Sequence, residues 1–260
     1  DTARTQPLLV AAALLAAEHL GPAENGAEIG AVAGHSVGEL GAAAIAGVLS
    51  VGDAIAFAGV RGREMAAACA LEPTGMSAVL GGDPAEVVAT IERHGLYPAN
   101  RNGAGQIVAA GSLDGLAKFA AEPPARARVI ALQVAGAFHT PYMKPAETAL
   151  GAFAADVTVT DPARTLLSNL DGAAVAQGGA MLQRLVRQVT APVRWDLCMR
   201  TLKELGVTGV IELPPAGTLA GLIKRELKGD GAPEIVTLNT PDDLPAARDL
   251  IARHGNGGAA

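Results

Sequence analysis

Little in this 260-residue sequence suits redox or metal chemistry. Its two cysteines, Cys69 and Cys198, stand far apart, with no C-x-x-C pair and no histidine at ligand spacing. Both fall in stretches that read as helix, so structural thiols are the expectation, with no metal site and no bound cofactor. Aromatic residues make up only 3% of the chain, too few for a platform on which bases stack, and the net charge of −6 argues against a general phosphate-binding surface. Neither property fits a nucleic-acid partner. Half of the residues are hydrophobic, yet no uninterrupted apolar run reaches the about 18 residues of a membrane span, so no membrane association is expected. The opening Asp1-Thr2-Ala3-Arg4 lacks the basic-then-apolar pattern of a secretory signal, which leaves the cytoplasm as the expected compartment.

What is present alternates between helical and extended patterns. Pro7 and Gly21 frame a mostly apolar helix ending at Leu20, with the proline at its start. Ile29 to Ala33 fits a short buried strand, and the sequence Gly34-His35-Ser36-Val37-Gly38 follows it directly, leading into a helix from Glu39 to Val48. A second helix covers Val51 to Ala70. Between Met76 and Val134 the pattern reads strand, helix, strand, strand, helix, strand, the βαββαβ signature of a ferredoxin-like unit. Turn signals at Gly81-Gly82-Asp83 and Asn102-Gly103-Ala104-Gly105 separate its pieces. Beyond it, Pro145 opens a helix and strands near Thr165, Val207 and Glu234 alternate with helices, which suggests a mostly parallel α/β core. The end, from His254 to Gly258, reads as a flexible tail.

A G-x-S-x-G elbow between strand and helix exposes a serine hydroxyl on a strained turn. The backbone N–H after the serine, here Val37, faces the oxyanion that develops on an attacked carbonyl. Ser36 is therefore the candidate nucleophile, the alternative being a structural glycine turn. Such a serine needs a base. His19, His94 and His254 fall near helix ends, where capping or exposure is the ordinary explanation. His35 adjoins Ser36, so its side chain should diverge from the hydroxyl, although it could line the site. His139, in Ala137-Phe138-His139-Thr140-Pro141, stands where a loop could return it to the core. Spacing alone leaves a structural histidine nearly as plausible.

Gly34-His35-Ser36-Val37-Gly38-Glu39 followed by Arg61-Gly62 resembles the malonyl-CoA:acyl-carrier-protein transacylases. Segments in matching order extend the resemblance over most of the chain: Thr5-Gln6-Pro7, Gly75 to Val79, Asn102 to Val108, Phe138-His139, Met143-Lys144-Pro145 and Pro192 to Trp195. The resemblance implies an α/β-hydrolase-like large domain (1–74 and 137–260) with a ferredoxin-like insertion (75–136). It implies Ser36 as nucleophile, His139 as general base and the backbone carbonyl of Gln188 as the group orienting the imidazole. Arg61 matches the residue that grips the malonyl carboxylate, a task suited to a planar guanidinium fork, whereas an arginine in a helix is ordinarily a solvated surface residue. His35 and Asn102 are candidates for the site wall, although Asn before Gly is first a turn signal. Phe138 resembles the malonyl-selecting form of related polyketide acyltransferases, where a bulky ring would crowd a 2-methyl branch; a core aromatic is the equal alternative.

The implied substrates are malonyl-CoA and an acyl carrier protein. The carrier is usually acidic, so a local basic patch is required, from Lys224, Arg225 and Lys228 or from Arg194 and Arg200. Fatty acid and polyketide assembly use the same step. Members of the family normally begin with a strand and a Gly-Gln-Gly loop that supplies a second oxyanion N–H. The present sequence begins at the family's early helix region, which implies a truncated, cleaved or incompletely represented protein. Pro214-Pro215-Ala216-Gly217 also replaces the usual Gly-Pro-Gly. Two rival readings share the elbow: a serine thioesterase, which hands the acyl group to water and needs no buried arginine, and a non-catalytic module that docks the carrier.

Overall fold

The computed structural model describes residues 2–21 and 29–255. The chain begins with α1 (Thr2–Leu20), β1 (Ala31–Val32), α2 (Gly38–Ile45) and α3 (Val51–Cys69). Pro7 sits inside α1 rather than at its start. It has no N–H to offer the Ala3 carbonyl one turn back, and α3 packs tightly against α1 at that same turn. A side-chain carbon on Gly62 would lie 2.7 Å from the Thr2 carbonyl oxygen and 3.1 Å from the Ala3 Cα. Glycine at 62 thus lets two helix backbones touch, and this contact sets Gln6 of α1 beside Arg61 of α3. Ser50 caps α3, its hydroxyl oxygen accepting from the Asp53 N–H at 3.0 Å.

The middle of the chain follows the expected order: β2 (Thr74–Gly81), α4 (Pro84–Arg93), β3 (Tyr97–Gly103), β4 (Gln106–Ser112), α5 (Leu113–Ala121) and β5 (Ala127–Ala131). These strands pair antiparallel in the spatial order β5-β2-β4-β3. Val87 and Ile91 of α4 and Leu116 and Phe119 of α5 pack with Val79, Ile107 and Ala109 of the sheet. The β3–β4 hairpin turns through Gly103, Ala104 and Gly105, all with positive φ, as the Asn-Gly signal requires. β5 stops at Ala131 instead of running to Val134. Leu132 makes a last bond to the Met76 carbonyl, and the Val134 N–H then folds back onto the Leu132 carbonyl, turning the chain out of the sheet toward His139.

Next come α6 (Lys144–Ala154), β6 (Thr165–Leu166), α7 (Gly178–Arg187), β7 (Val193–Arg194), α8 (Trp195–Glu204), β8 (Gly209–Glu212), α9 (Thr218–Glu226), β9 (Glu234–Thr237) and α10 (Leu244–His254). The expected parallel core is present as short pairs, β1 with β6 and β8 with β9. β7 joins β3 in parallel, Asn100 opposite Val193 and Arg101 opposite Arg194. The central sheet therefore does not end at residue 136, because the open edge of β3 is completed from the C-terminal part of the chain. The largest apolar cluster lies under the elbow, with Leu40 of α2, Phe57 and Met65 of α3, Leu150 of α6 and Met181 and Leu185 of α7. No helix among the described residues is long and apolar enough to cross a membrane. The part of the expected tail from Asn256 to Gly258 lies outside the described residues.

Candidate active site

β1 delivers the chain to a turn that only glycine can make. A side-chain carbon on Gly34 would lie 2.1 Å from the carbonyl carbon and oxygen of Gly38 and 2.5 Å from the Glu39 nitrogen. Two bonds close the turn into α2, from the Gly38 N–H to the His35 carbonyl (2.9 Å) and from the Glu39 N–H to the Ser36 carbonyl (3.0 Å). Ser36 adopts φ 53°, a left-handed conformation that costs a non-glycine residue roughly 1–2 kcal/mol. Asn169, fully buried after β6, holds it there: its Oδ1 accepts from the Ser36 N–H at 2.8 Å and its Nδ2 donates to the Gly34 carbonyl at 2.7 Å. The next amide, Val37, donates to no protein group among the described residues and borders the same cavity as the Ser36 hydroxyl.

His139 reaches this hydroxyl from the other side. Its loop is pinned by the Ala137 N–H on the Thr74 hydroxyl (3.0 Å) and by the Thr140 hydroxyl on the Ala137 carbonyl (2.6 Å), and His139 itself has φ 61°. Nδ1 lies 2.9 Å from the Gln188 carbonyl oxygen, which can only accept, so Nδ1 carries the proton. Nε2 then offers its lone pair to the Ser36 hydroxyl at 2.7 Å. Burial, then the charge of Arg61, pull the imidazole down to about 3, so it is neutral at physiological pH.

Arg61 is 2% exposed, against the ordinary habit of a helical arginine. Nη2 donates to the Gln188 Oε1 at 2.7 Å and to the Ser36 hydroxyl oxygen at 3.1 Å, and Nη1 to the Gln6 Oε1 at 2.5 Å. Burial lowers it to about 10 while Glu39 opposes the shift, so it stays charged. Ser36, Val37, Arg61, Phe138 and His139 all line one cavity of about 390 Å³, together with Gln6. His35 and Asn102 do not line it. The His35 ring turns away, Nε2 against the Asn102 Oδ1 at 2.8 Å and its edge on Trp195, so the pair braces the elbow from behind. The three discounted histidines each have a partner elsewhere: His19 and His94 the carbonyls of Leu15 and Thr90 one turn back, His254 the Thr208 hydroxyl.

A serine hydroxyl between a neutral imidazole and a buried guanidinium is equipped to take an acyl group carrying its own negative charge. The family model for the acyl transferase domain matches residues 1–247. This chain belongs to the acyl transferase family. It is 55% identical over 252 residues to a malonyl CoA-acyl carrier protein transacylase of Mycobacterium tuberculosis, covering 96% of this chain and 82% of that protein. The crystal structure of a transacylase from M. tuberculosis superposes with a TM-score of 0.90, at 55% identity over 95% of this chain and 82% of the other. A malonyl-transacylase solved in complex with its type II polyketide acyl-carrier protein gives a TM-score of 0.86 at 28% identity, covering 95% and 81%.

In this acyl transferase, sequence reasoning passed over four contributors to the site. Gln6 belongs to the Thr5-Gln6-Pro7 segment, for which the resemblance implies no role. Glu39 stands in the motif that carries the resemblance with no role of its own, yet it is 1% exposed. Asn169 ends the strand expected near Thr165 with nothing to mark it, and for Gln188 the resemblance implies only a backbone role. A charged residue directly before the apolar run from Leu40 to Val48 was the available signal for Glu39.

Proposed function

We propose that this acyl transferase carries a malonyl group from coenzyme A to acyl carrier protein, with Ser36 holding the group between the two. The observation that carries the reading is the Ser36 hydroxyl held between His139 Nε2 at 2.7 Å and Arg61 Nη2 at 3.1 Å. In the first half-reaction His139 takes the hydroxyl proton as Ser36 attacks the thioester carbonyl, and the Val37 N–H stabilises the oxyanion. The C–S bond breaks, and the leaving thiolate recovers the proton from the imidazolium. In the second, His139 deprotonates the carrier's phosphopantetheine thiol, which attacks the malonyl ester, and Ser36 leaves with the proton. The Gln188 carbonyl keeps the imidazole in the required tautomer throughout. Arg61 receives the malonyl carboxylate, which also offsets the guanidinium charge that weakens the base.

Phe138, at the cavity wall, restricts space beside the malonyl C2. For the carrier we favour the exposed Lys224, Arg225 and Lys228 around the end of α9. Arg194 is engaged by Asp196 through two bonds, which leaves less of its charge for a partner. The antiparallel β5-β2-β4-β3 order supports a ferredoxin-like small domain over 75–136, set into an α/β-hydrolase-like large domain. Two unpaired cysteines, Cys198 pushed up to about 12 by burial, suit a reducing cytoplasm.

The test is intact-protein mass spectrometry after brief exposure to malonyl-CoA. Wild type gains one malonyl group on Ser36 and loses it on addition of holo acyl carrier protein; Ser36→Ala gains none. A wild type that stays unmodified, or whose adduct passes to water rather than the carrier thiol, refutes the reading.

A further inference from the structure

Glu39 is a buried carboxylate that the mechanism above does not use. It sits in the first turn of α2, three residues past the nucleophile and 1% exposed. Each group that faces it is a hydrogen-bond donor or a cation. Oε1 accepts from the Asn169 backbone N–H at 2.6 Å, and the Gln188 side-chain amide donates to Oε2. The Ser168 hydroxyl and the Arg61 guanidinium complete the surroundings. Burial alone would make this an unfavourable place for a carboxylate, so what it holds matters.

It holds the two residues that grip the reacting groups. Asn169 fixes both ends of the elbow through Ser36 and Gly34. Gln188 gives its backbone carbonyl to His139, its Oε1 to Arg61 and its Nε2 to the Ser36 carbonyl at 2.9 Å. The Gln188 amide presents its oxygen to Arg61 while its nitrogen donates to two acceptors, the Ser36 carbonyl and the Glu39 carboxylate, and Glu39 is the charged one of the pair.

We propose that Glu39 is a positioning residue for acyl transfer, whose two acceptor oxygens lock Asn169 and Gln188 and so hold Ser36, His139 and Arg61 in register. A carboxylate can do this and its amide cannot. In Glu39→Gln one terminal atom becomes an NH2, set against either the Asn169 N–H or the Gln188 NH2, two donors face to face. Protonation of Glu39 acts in the same direction, because it removes the charge and adds an O–H donor where the neighbours already donate.

The assay separates this from a merely structural role, and it rests on the transferase reading above. The charged and titratable groups facing Glu39 are Arg61 from α3 and Cys198 from α8, with His139 and His35 beyond them. Burial raises Glu39 to about 7, whereas His139 lies near 3 and Cys198 near 12. A fall in rate on acidification through neutrality that disappears in Glu39→Gln therefore belongs to Glu39, whereas one that persists there belongs to His139.

Single-turnover malonylation of Ser36 is measured between pH 5.5 and 8.5. Wild type slows about 10–100-fold on the acid side, as expected for one reversed bond to a charged group. Glu39→Gln, folded by near-UV circular dichroism, is slow and flat across the range, at the level of acidified wild type. Glu39→Asp keeps the acid limb below a reduced plateau. A wild-type rate in Glu39→Gln, an acid limb surviving in it, or a flat wild-type profile overturns the proposal. Should Glu39→Gln not fold, the wild-type and Glu39→Asp profiles decide. Absence of any adduct on wild type is a different failure, that of the transferase reading.

Discussion

Replacing Arg61 should change which acyl group is accepted more than whether acylation occurs at all. In the resting site the guanidinium is satisfied by Gln6, Gln188 and the Ser36 hydroxyl. A malonyl group brings a carboxylate into a cavity of about 390 Å³ whose lining includes this one arginine. Removing one partner of a buried ion pair costs about 3–5 kcal/mol, because the remaining charge is left uncompensated. At 1.4 kcal/mol per factor of ten, that is roughly a 10²–10⁴-fold loss for malonyl transfer. An acetyl group has no carboxylate and forfeits only what both substrates lose, the contact from Nη2 to Ser36 and the support given to Gln188. The malonyl-to-acetyl ratio of kcat/KM in Arg61→Ala should therefore fall by at least about a hundredfold. Taking the ratio cancels any change in folded fraction, since both substrates meet the same enzyme. Arg61→Lys keeps the charge but replaces the planar fork with a point donor, so its ratio should lie between the two. Both are read from coenzyme A thiol release, with mass spectrometry of Ser36 as the second measure. A malonyl-to-acetyl ratio within about threefold of wild type in Arg61→Ala would show that the carboxylate is bound elsewhere.

Two further outcomes follow from the elbow and the base. Gly34→Ala forces a carbon to within 2.1 Å of the Gly38 carbonyl, so the turn must open and Ser36 leave its place. Acylation should drop to the level of Ser36→Ala while far-UV circular dichroism changes little, and an active Gly34→Ala would contradict the packing. His139 couples folding to pH. Its folded value near 3 lies below the unfolded 6.5, so the unfolded chain takes the extra proton in between, and stability present above 6.5 is lost as pH falls toward 3. Denaturant titrations from pH 6.5 to 4.5 should find wild type losing ~2–3 kcal/mol more than His139→Gln. Glu39 acts in the opposite sense, its raised value favouring the folded state as pH falls from 7, but it is present in both proteins and cancels in the comparison. Parallel slopes would mean that His139 is not held neutral.

What was legible in the sequence follows the range over which each feature is decided. The βαββαβ order was readable because each strand and helix there is bounded by a local cause: Pro84 after Asp83, Ser112 capping α5, and positive-φ residues at the hairpin. The closure of that sheet by β7 was not, since nothing near Val193 announces a partner at Asn100 in a distant part of the chain. The helix α7 was not among the expected elements; it opens on Gly178-Gly179, a poor helix start by propensity, yet Gly178 is required there because a side-chain carbon would lie 2.1 Å from the Thr160 carbonyl oxygen. The site divides along the same line. Ser36 is announced by its own neighbours, because a sharp turn needs glycine beside it, and the roles of His139, Arg61 and Gln188 came from the resemblance. The contacts that make them a unit run from Gln188 to Ser36, Glu39, Arg61 and His139, four long-range encounters that no local pattern encodes. Gln188 follows α7 directly, so the helix the sequence hid is the one that sets the residue tying the site together. A substitution that displaced α7 without touching the cavity would therefore loosen base, clamp and elbow at once, because all three take their register from the residue at its end.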